Sequence, residues 1–337
     1  MTQSPKEIAG RDLQSPEQLR RELVEPCRPV VLRGLIADWP VVRAGLVSPR
    51  ALRDYLGKFD AGSQLDVFFG DPKIAGKYYY AEDLKGFNFD KKRLRLGQAL
   101  DAIIANLDRP GAPSVYAGSL PVDEYLPGFA AENAMALLPP QVGARIWLGH
   151  ASNVSSHYDA FDNIACVIAG RRRFTLYAPE LTSSLYIGPI DNTMAGQPVS
   201  LAASSPEDEA KYPLFRAVKD QALVAELDAG DALYLPKLWW HQVEGLASFN
   251  GLVNYWWDAS SAGPDQPYAA MLLAMITIAE RPPAERLAWR AYFDHYVFRP
   301  QGHPLAHLPP EQHGLLGPLK ENYGKLRARV MHMLRGG

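Results

Sequence analysis

The stretch Ser155–Gly170 reads SSHYDAFDNIACVIAG, and it decides how the rest of the chain is interpreted. His157 and Asp159 stand two positions apart, so on an extended strand both side chains project to the same side. A His-x-Asp pair alone is a weak signal, because chance produces it often. The pair indicates a metal site only if a third ligand occurs elsewhere in the chain.

The third ligand is offered by Gly230–Gly245, which reads GDALYLPKLWWHQVEG and contains His241. Two imidazoles and one carboxylate form the facial triad of non-haem Fe(II) oxygenases, which leaves coordination positions open for a co-substrate and dioxygen. The alternative is two core histidines and an Asp that caps a turn. We predict that His157, Asp159 and His241 bind the metal and form the catalytic centre.

The residues around these two segments favour an all-β core. Arg145–Trp257 consists mainly of short β-favouring stretches separated by turns, and the polar part Thr182–Pro213 is predicted to be loop or small helices. Nothing in this region alternates as a doubly wound fold does. The pattern therefore predicts a barrel or sandwich with irregular insertions.

The segments before this core mix helices and strands. We predict a helix capped by Ser15, a strand over Pro29–Leu35, a helix over Ser48–Phe59, a hairpin over Gln64–Tyr80, a helix over Leu94–Leu107 and a strand over Ser114–Ala117. Residues 1–258 are therefore expected to form one domain.

Residues 259–337 are predicted to form a helical region. Its three helices are expected over Tyr268–Ala279, Pro283–Tyr296 and Glu321–Leu334. The apolar stripe on these helices can serve either as a homodimer surface or as an internal packing face.

Composition excludes several classes of protein. The chain has 337 residues, with 35 Lys and Arg against 37 Asp and Glu, so its net charge of -2 gives no broad cationic field for nucleic acid or anionic lipid. Cys27 and Cys166 show no paired spacing, which disfavours a disulfide scaffold or a thiolate metal cluster. The 47% apolar content is enough for a large core.

The first residues, Met1–Leu23, carry acids and amides where a secretory signal needs an apolar stretch. No run of about 18 apolar residues occurs, so no membrane-spanning helix is predicted. We expect a cytoplasmic protein, a compartment compatible with reduced iron.

Four segments resemble the cupin-type JmjC oxygenases, and most of all the branch that contains the asparaginyl hydroxylase called factor inhibiting HIF. They are RPVVLRGLIADWP (Arg28–Pro40), NVSSHYDAFDNIACVIAGRRRFTLYAP (Asn153–Pro179), GDALYLPKLWWHQVEG (Gly230–Gly245) and GLVNYWW (Gly251–Trp257). The resemblance implies a mainly β fold with helical additions, whose core is a double-stranded β-helix of the jelly-roll or cupin type. It also implies that Fe(II), 2-oxoglutarate and dioxygen are used, with His157, Asp159 and His241 as the iron ligands.

The resemblance places a basic residue at the far carboxylate of 2-oxoglutarate. The family has a Lys two residues after a strand Gly, and the same offset from Gly170 falls here on Arg172. This is a departure, although the planar fork of an Arg matches a carboxylate in two hydrogen bonds. If Asn163 faces inward, a bulge at Gly170 is needed to return Arg172 to the same side. Otherwise Arg171–Arg173 is a solvated basic strand end.

The resemblance implies four further co-substrate residues, and three of them have a plain structural alternative. Tyr116 matches a family Tyr that assists the same carboxylate, but a Tyr on an inward strand often only packs. Asn163 and Asn254 match amides that line the site, although a buried Asn often only ties backbone groups together. Ser155 corresponds in the sequence to a Thr of the family that contacts the same carboxylate of 2-oxoglutarate.

The activity implied is hydroxylation of a C–H bond, with a protein or peptide side chain as the expected substrate. Lysine demethylation and the oxidation of a small molecule or a modified RNA remain alternatives. From other classes of function, the alternatives are a cupin that binds metal without oxygen chemistry and an inactive scaffold. The sequence leaves the substrate open, because the outer groove would be formed by loops.

Overall fold

A computed structural model describes residues 3–79, 86–107, 109–190, 197–203, 210–261 and 263–336. Contacts between Cα atoms divide the chain into two compact units, residues 1–259 and residues 260–337. Among the described residues, no helix is long and apolar enough to cross a membrane.

The strands of the described residues all lie in the first unit. They are β1 (Lys6–Ala9), β2 (Val30–Arg33), β3 (Gln64–Gly70), β4 (Lys77–Tyr78), β5 (Phe89–Arg95), β6 (Ser114–Pro121), β7 (Ala144–Gly149), β8 (Ser152–His157), β9 (Asp162–Ala169), β10 (Arg171–Tyr177), β11 (Leu223–Asp228), β12 (Ala232–Leu235), β13 (Trp240–Gly245) and β14 (Asn250–Trp257).

These strands form two sheets. One has the order β1-β2-β12-β9-β14-β7-β6-β3-β5, and the other has the order β11-β10-β13-β8-β4. Most neighbours are antiparallel, and only the pairs β1-β2 and β4-β8 are parallel among the described strands. The mainly β, jelly-roll type of fold with helical additions is confirmed.

The helices of the first unit are short. They are α1 (Pro16–Leu19), α2 (Pro40–Val47), α3 (Pro49–Gly57), α4 (Leu96–Asn106), α5 (Val122–Tyr125), α6 (Phe129–Glu132) and α7 (Pro213–Arg216). The predicted caps are present: the Ser15 hydroxyl accepts from the amide of Gln18, and the Ser48 hydroxyl accepts from that of Ala51. The helix predicted over Leu94–Leu107 starts two residues later, because β5 extends to Arg95.

Strand β9 explains how the two sheets enclose a core. All eight of its residues are buried, and alternate side chains belong to different clusters. Ala165 and Val167 pack with Phe174 of the smaller sheet, whereas Ile164 and Cys166 belong to the cluster that includes the helices on the outer face. A strand covered on both faces has no polar side, which accounts for the nearly continuous apolar run in the sequence.

The chain changes sheets at Gly170, between β9 and β10. The pairing register with β14 shifts here, because Gly251 lies opposite Ala169 while Leu252 lies opposite Val167. Gly170 itself has φ +72°, and an added Cβ would stand 2.4 Å from the carbonyl oxygen of Phe249. This irregularity changes which side chains face the space between the sheets. It lies beside the position where the sequence requires a bulge.

The predicted hairpin over Gln64–Tyr80 is wrong for the part that is described, and Tyr80 lies outside the described residues. Strand β3 pairs along its whole length with β5 and not with β4. After Gly70 a turn over Pro72–Ile74 carries the chain to the other sheet, where β4 pairs with β8. Local sequence signals a turn there, but the partner of β3 is set by packing across the sheet.

The second unit contains α8 (Pro267–Ile278), α9 (Pro283–Phe293) and α10 (Leu319–Leu334). These are close to the three helices expected from the sequence. None of the residues of α8 is buried, although the helix is apolar around its whole circumference and carries no charge. Asp265 contacts Tyr323 and Arg327, which ties the start of the unit to α10.

Candidate metal centre

Two histidines face each other across neighbouring strands of the smaller sheet. His157 ends β8, His241 is the second residue of β13, and the two are direct partners in the antiparallel ladder. Their ring centroids lie 4.3 Å apart, and both side chains are buried. The sheet therefore fixes the distance between the two imidazoles before any ligand arrives.

Each imidazole is oriented by a backbone carbonyl. Nδ1 of His157 lies 2.8 Å from the carbonyl oxygen of Ser155, and Nδ1 of His241 lies 3.0 Å from that of Trp239. A carbonyl only accepts, so Nδ1 carries the proton in both rings. The lone pair of each ring is left on Nε2, the arrangement that metal-binding histidines use.

Asp159 completes the group from the loop that follows β8. Its Oδ2 lies 3.6 Å from Nε2 of His241, and one potential ligand atom from each of the three residues lies within 4.8 Å of the others. The backbone of the loop is held where the amide of Leu238 donates to the carbonyl of Asp159, at 2.8 Å. The structure thus brings together the three residues that the sequence singled out.

Burial keeps His241 in the form that binds a metal. Loss of hydration, together with the neighbouring His157, lowers the pKa of His241 to about 4. Asp159 acts in the opposite direction, but its effect is smaller. The imidazole is therefore neutral at physiological pH, as a metal ligand must be.

The three residues open into a cavity of about 80 Å³ between the sheets. This volume holds several water-sized groups, since one water needs roughly 10–15 Å³ measured in this way. Tyr116, Asn163, Arg172 and Asn254 line the same cavity. The remaining lining is largely apolar: Trp147, Val154, Ala165, Phe174, Val243, Leu252 and Trp256.

Arg172 is a buried cation that has no anionic partner among the residues that the structure describes. Arg172 is 2% exposed, and its Nε has no hydrogen-bond partner in the described part of the chain. Among the described residues, no carboxylate forms an ion pair with it. Burial lowers the pKa of Arg172, and the nearby hydroxyl of Tyr116 acts against this. An uncompensated charge in such a place is costly unless a bound anion pairs with it.

The neighbours of Arg172 are quite different from it. Arg171 is exposed, and Arg173 pairs with Glu226 at the surface, at 2.7 Å. The three arginines are therefore not a uniform basic strand end. The register shift beside Gly170 turns only the middle one into the cavity.

The two asparagines are linked to each other and to a tryptophan. Nδ2 of Asn254 donates to Oδ1 of Asn163 at 3.1 Å, and Nε1 of Trp147 donates to Oδ1 of Asn254 at 2.6 Å. Both asparagines are buried and line the cavity. Their amides are thus held in one orientation, with Asn254 at the centre of the chain of bonds.

Ser155 does not line the cavity, contrary to the expectation from the sequence. Its hydroxyl donates to the carbonyl of Tyr78 at 3.3 Å. The cause is an irregularity in β8: His157 lies opposite His241 while Val154 lies opposite Val243, so β8 has one more residue than β13 over this span. Val154 therefore takes the inward place.

Trp256 is a member of the site that the sequence analysis did not single out. Its Nε1 donates to Oδ2 of Asp159 at 3.1 Å. The signal was present in GLVNYWW: on a strand, Trp256 points to the same side as Asn254, two residues earlier. By contrast, Trp239 and Trp240 are buried and donate to Cys27 and Thr182.

Comparison with known proteins gives a family and several relatives. The model of the family described as "Cupin-like domain" matches residues 16–263. The chain is 27% identical to Jumonji C domain-containing protein 5 of Drosophila melanogaster, over 75% of the chain and 60% of that protein. It is 26% identical to the bifunctional peptidase and (3S)-lysyl hydroxylase JMJD7 of Homo sapiens, over 72% of the chain and 81% of that protein.

The name of a third relative states a demethylase activity instead of a hydroxylase activity. The chain is 25% identical to lysine-specific demethylase 8 of Xenopus tropicalis, over 72% of the chain. It spans 60% of the length of the Drosophila relative and 51% of the length of the Xenopus one. With a family model that matches most of its length, the chain belongs to the cupin-like domain family.

Proposed function

We propose that this protein is an Fe(II)- and 2-oxoglutarate-dependent dioxygenase that hydroxylates a C–H bond. One observation carries the proposal: a buried guanidinium, which no carboxylate of the described residues pairs with, shares a cavity with two imidazoles and a carboxylate. The buried guanidinium favours an anionic ligand. The two imidazoles and the carboxylate favour a divalent metal that keeps coordination positions open for other ligands. A small keto acid that binds the metal at one end and the cation at the other satisfies both.

The donor atoms fit ferrous iron. His157 and His241 each offer Nε2, and Asp159 offers a carboxylate oxygen. Two nitrogen donors and one oxygen donor suit Fe(II) and leave positions for further ligands. The reducing cytoplasm that we predict for this protein would keep iron in this state.

The cavity also fits the far carboxylate of 2-oxoglutarate. Arg172 can donate two parallel hydrogen bonds to a carboxylate, and the hydroxyl of Tyr116 lies beside the guanidinium. Asn163 and Asn254 offer polar contacts along the same wall. We assign no such role to Ser155, because its hydroxyl is bonded outside the cavity.

When bound, iron and 2-oxoglutarate supply the oxidising chemistry, in which dioxygen is consumed and succinate and carbon dioxide are released. The protein positions the reactants and excludes water. Phe174, Val243 and Leu252 make the walls apolar, so hydrogen bonds and charges inside act at low dielectric. The side chain of Asp159 is 14% exposed, so the three candidate ligands can be reached from solvent on this side.

We infer that the substrate is a side chain of a protein or peptide. The support is that one relative is named a lysyl hydroxylase and another a lysine-specific demethylase. Lysine demethylation is therefore the second candidate, because it begins with the same hydroxylation step. Neither of these relatives is named an asparaginyl hydroxylase, so they do not support a substrate specific to that branch.

We further propose that a second copy of the chain covers the C-terminal helices. Helix α8 is apolar on all sides, and none of its residues is buried; Ile276 is 83% exposed. Such a surface is unfavourable in water unless a partner covers it. The helix carries no charge that would select an oppositely charged partner, and self-association of one patch about a two-fold axis is the commonest form of oligomer.

An anaerobic titration tests the proposed chemistry against that of a cupin without oxygen chemistry. We expect 2-oxoglutarate, added to the Fe(II) protein, to produce a metal-to-ligand charge-transfer band. Succinate added at the same concentration should not produce it, because succinate lacks the keto oxygen. A protein that binds Fe(II) and shows no band with 2-oxoglutarate would be a metal-binding cupin of another kind.

A further inference from the structure

The indole of Trp256 holds a particular oxygen of Asp159. Nε1 of Trp256 donates to Oδ2 at 3.1 Å, and the same oxygen lies 3.6 Å from Nε2 of His241. The indole therefore fixes the carboxylate on the side that faces the second histidine. Since a Trp N–H only donates, the carboxylate oxygen is the acceptor of this bond.

Asp159 needs such support more than the histidines do. His157 and His241 lie within strands, and each ring is anchored by a backbone carbonyl. Asp159 lies after the end of β8 and is partly exposed, so without a hydrogen-bond donor its carboxylate would rotate toward water. Among the described residues, Trp256 donates the hydrogen bond that the Asp159 carboxylate accepts.

The indole is itself held rigidly. Trp147 meets it edge to face, with the ring centroids 5.8 Å apart at an interplanar angle of 88°. The guanidinium of Arg145 lies 5.7 Å from the centroid of the Trp256 ring, and its Nη1 donates to the carbonyl and hydroxyl of Ser119 at 2.7 and 2.9 Å. A donor fixed in this way loses little entropy when it binds the carboxylate.

We propose that Trp256 is a positioning residue that prepares Asp159 for metal binding through its indole N–H. The inference rests on the proposed function, because it assumes that Asp159 is a ligand. Groups that orient metal ligands typically contribute 10- to 100-fold in metal affinity or activity. The effect should therefore appear in metal binding itself, before any turnover.

The test measures Mn(II) affinity by isothermal titration calorimetry, with Mn(II) as an air-stable substitute for Fe(II). Trp256→Phe keeps an aromatic ring but removes the N–H, and we expect its Kd for Mn(II) to rise about tenfold. Trp256→Tyr, which also lacks the indole N–H, is measured in parallel in case the first variant does not fold. The matched control is Trp257→Phe, because the adjacent ring packs near Tyr234, with centroids 6.3 Å apart, and belongs to the outer cluster.

A spectroscopic reading separates positioning from general loss of structure. With Co(II) as the metal, the Trp256 variants should change the visible absorption bands, which report the ligand geometry, while Trp257→Phe should leave them as in the wild type. Equal Kd values and equal spectra in the wild type and in a folded Trp256 variant would overturn the inference alone. Wild-type protein that binds neither Mn(II) nor Co(II) would overturn the proposed function with it.

Discussion

Tyr116 and Arg172 lie beside each other inside the cavity, although they come from different sheets. Tyr116 lies on β6 of the larger sheet and Arg172 on β10 of the smaller one, and both are buried. The hydroxyl stabilises the charge of the guanidinium but cannot neutralise it. The pair is therefore prepared to receive an anion from solution, which gives the first prediction.

Replacing Arg172 should weaken the binding of 2-oxoglutarate. Arg172→Met keeps the apolar stem and removes the donors, and a lost charge-assisted hydrogen bond costs about 1.5–3 kcal/mol. We expect the KM for 2-oxoglutarate to rise roughly 10- to 100-fold, because about 1.4 kcal/mol corresponds to tenfold. The measurement is succinate formation as 2-oxoglutarate is varied.

Arg173→Met is the matched control for this prediction. Arg173 is the next residue and pairs with Glu226 at the surface, so its loss should leave the KM unchanged. An equal rise of the KM in both variants would show that the effect is a general one of basic charge. A wild-type KM in Arg172→Met would show that the co-substrate binds elsewhere.

Replacing Gly170 should destabilise the fold at the point where the chain changes sheets. Gly170→Ala combines a left-handed backbone, φ +72°, with a Cβ that would stand 2.4 Å from a carbonyl oxygen. The backbone conformation alone costs of order 1–3 kcal/mol for other residues, and the clash adds to it. We expect a loss of more than about 2 kcal/mol in the free energy of unfolding, measured by urea denaturation.

Gly111→Ala isolates the backbone contribution, because Gly111 also has φ +72° and no atom lies within 4 Å of its added Cβ. Its loss of stability should be clearly smaller than that of Gly170→Ala. If the two variants lose the same free energy, the close approach to Phe249 is not important for stability.

Replacing Lys237 should destabilise the rim of the barrel. Its Nζ lies 3.2 Å from Oδ2 of Asp162 and 2.7 Å from Oδ1 of Asp258. Asp162 has a side chain that is 2% exposed, and it also accepts from the hydroxyl of Tyr234 at 2.9 Å. Lys237→Met leaves that carboxylate buried without its cation, and we expect a loss of about 2–3 kcal/mol, since the ion pair is only partly buried.

The double variant Lys237→Met with Asp162→Asn distinguishes charge from packing. It removes the buried charge together with its partner, so urea denaturation should show that part of the lost stability returns. No recovery would mean that the apolar stem of Lys237, and not its charge, stabilises this region.

A charge on helix α8 should prevent self-association. Ile276→Asp places a carboxylate in the apolar surface, and desolvating it at an interface costs several kcal/mol. We expect light scattering after size-exclusion chromatography to show a dimer for the wild type and a monomer for the variant. Val47→Asp is the control, because Val47 is 76% exposed but lies in the first unit. A monomeric wild type would contradict the proposed dimer.

The features that could be predicted from the sequence are those that depend on a short local pattern of residues. His157 and Asp159 are two residues apart on one segment, and the tract before His241 is an apolar strand, so fold class and the three candidate ligands could be proposed together. Ser48 and Pro49 likewise mark the start of α3, because capping is a local interaction.

The sequence did not predict side-chain directions that depend on one inserted residue, or strand pairings that depend on a distant partner. The irregularity in β8 turns Ser155 away from the cavity and Val154 into it, and nothing in SSH reveals it. The pairing of β3 with β5 is set by the whole sheet and not by the turn after Gly70. Trp256 was missed because Trp239-Trp240 and Trp256-Trp257 look alike in the sequence, and only the fold shows which indole reaches Asp159.

The central claim is that His157, Asp159 and His241 hold the iron at which 2-oxoglutarate and dioxygen react. The most direct measurement uses ¹⁸O-labelled dioxygen with the Fe(II) protein and 2-oxoglutarate, and follows succinate by mass spectrometry. We predict that wild-type succinate gains one labelled oxygen atom and that Asp159→Ala forms succinate at less than about one hundredth of the wild-type rate. Labelled succinate at the wild-type rate from Asp159→Ala would contradict the account.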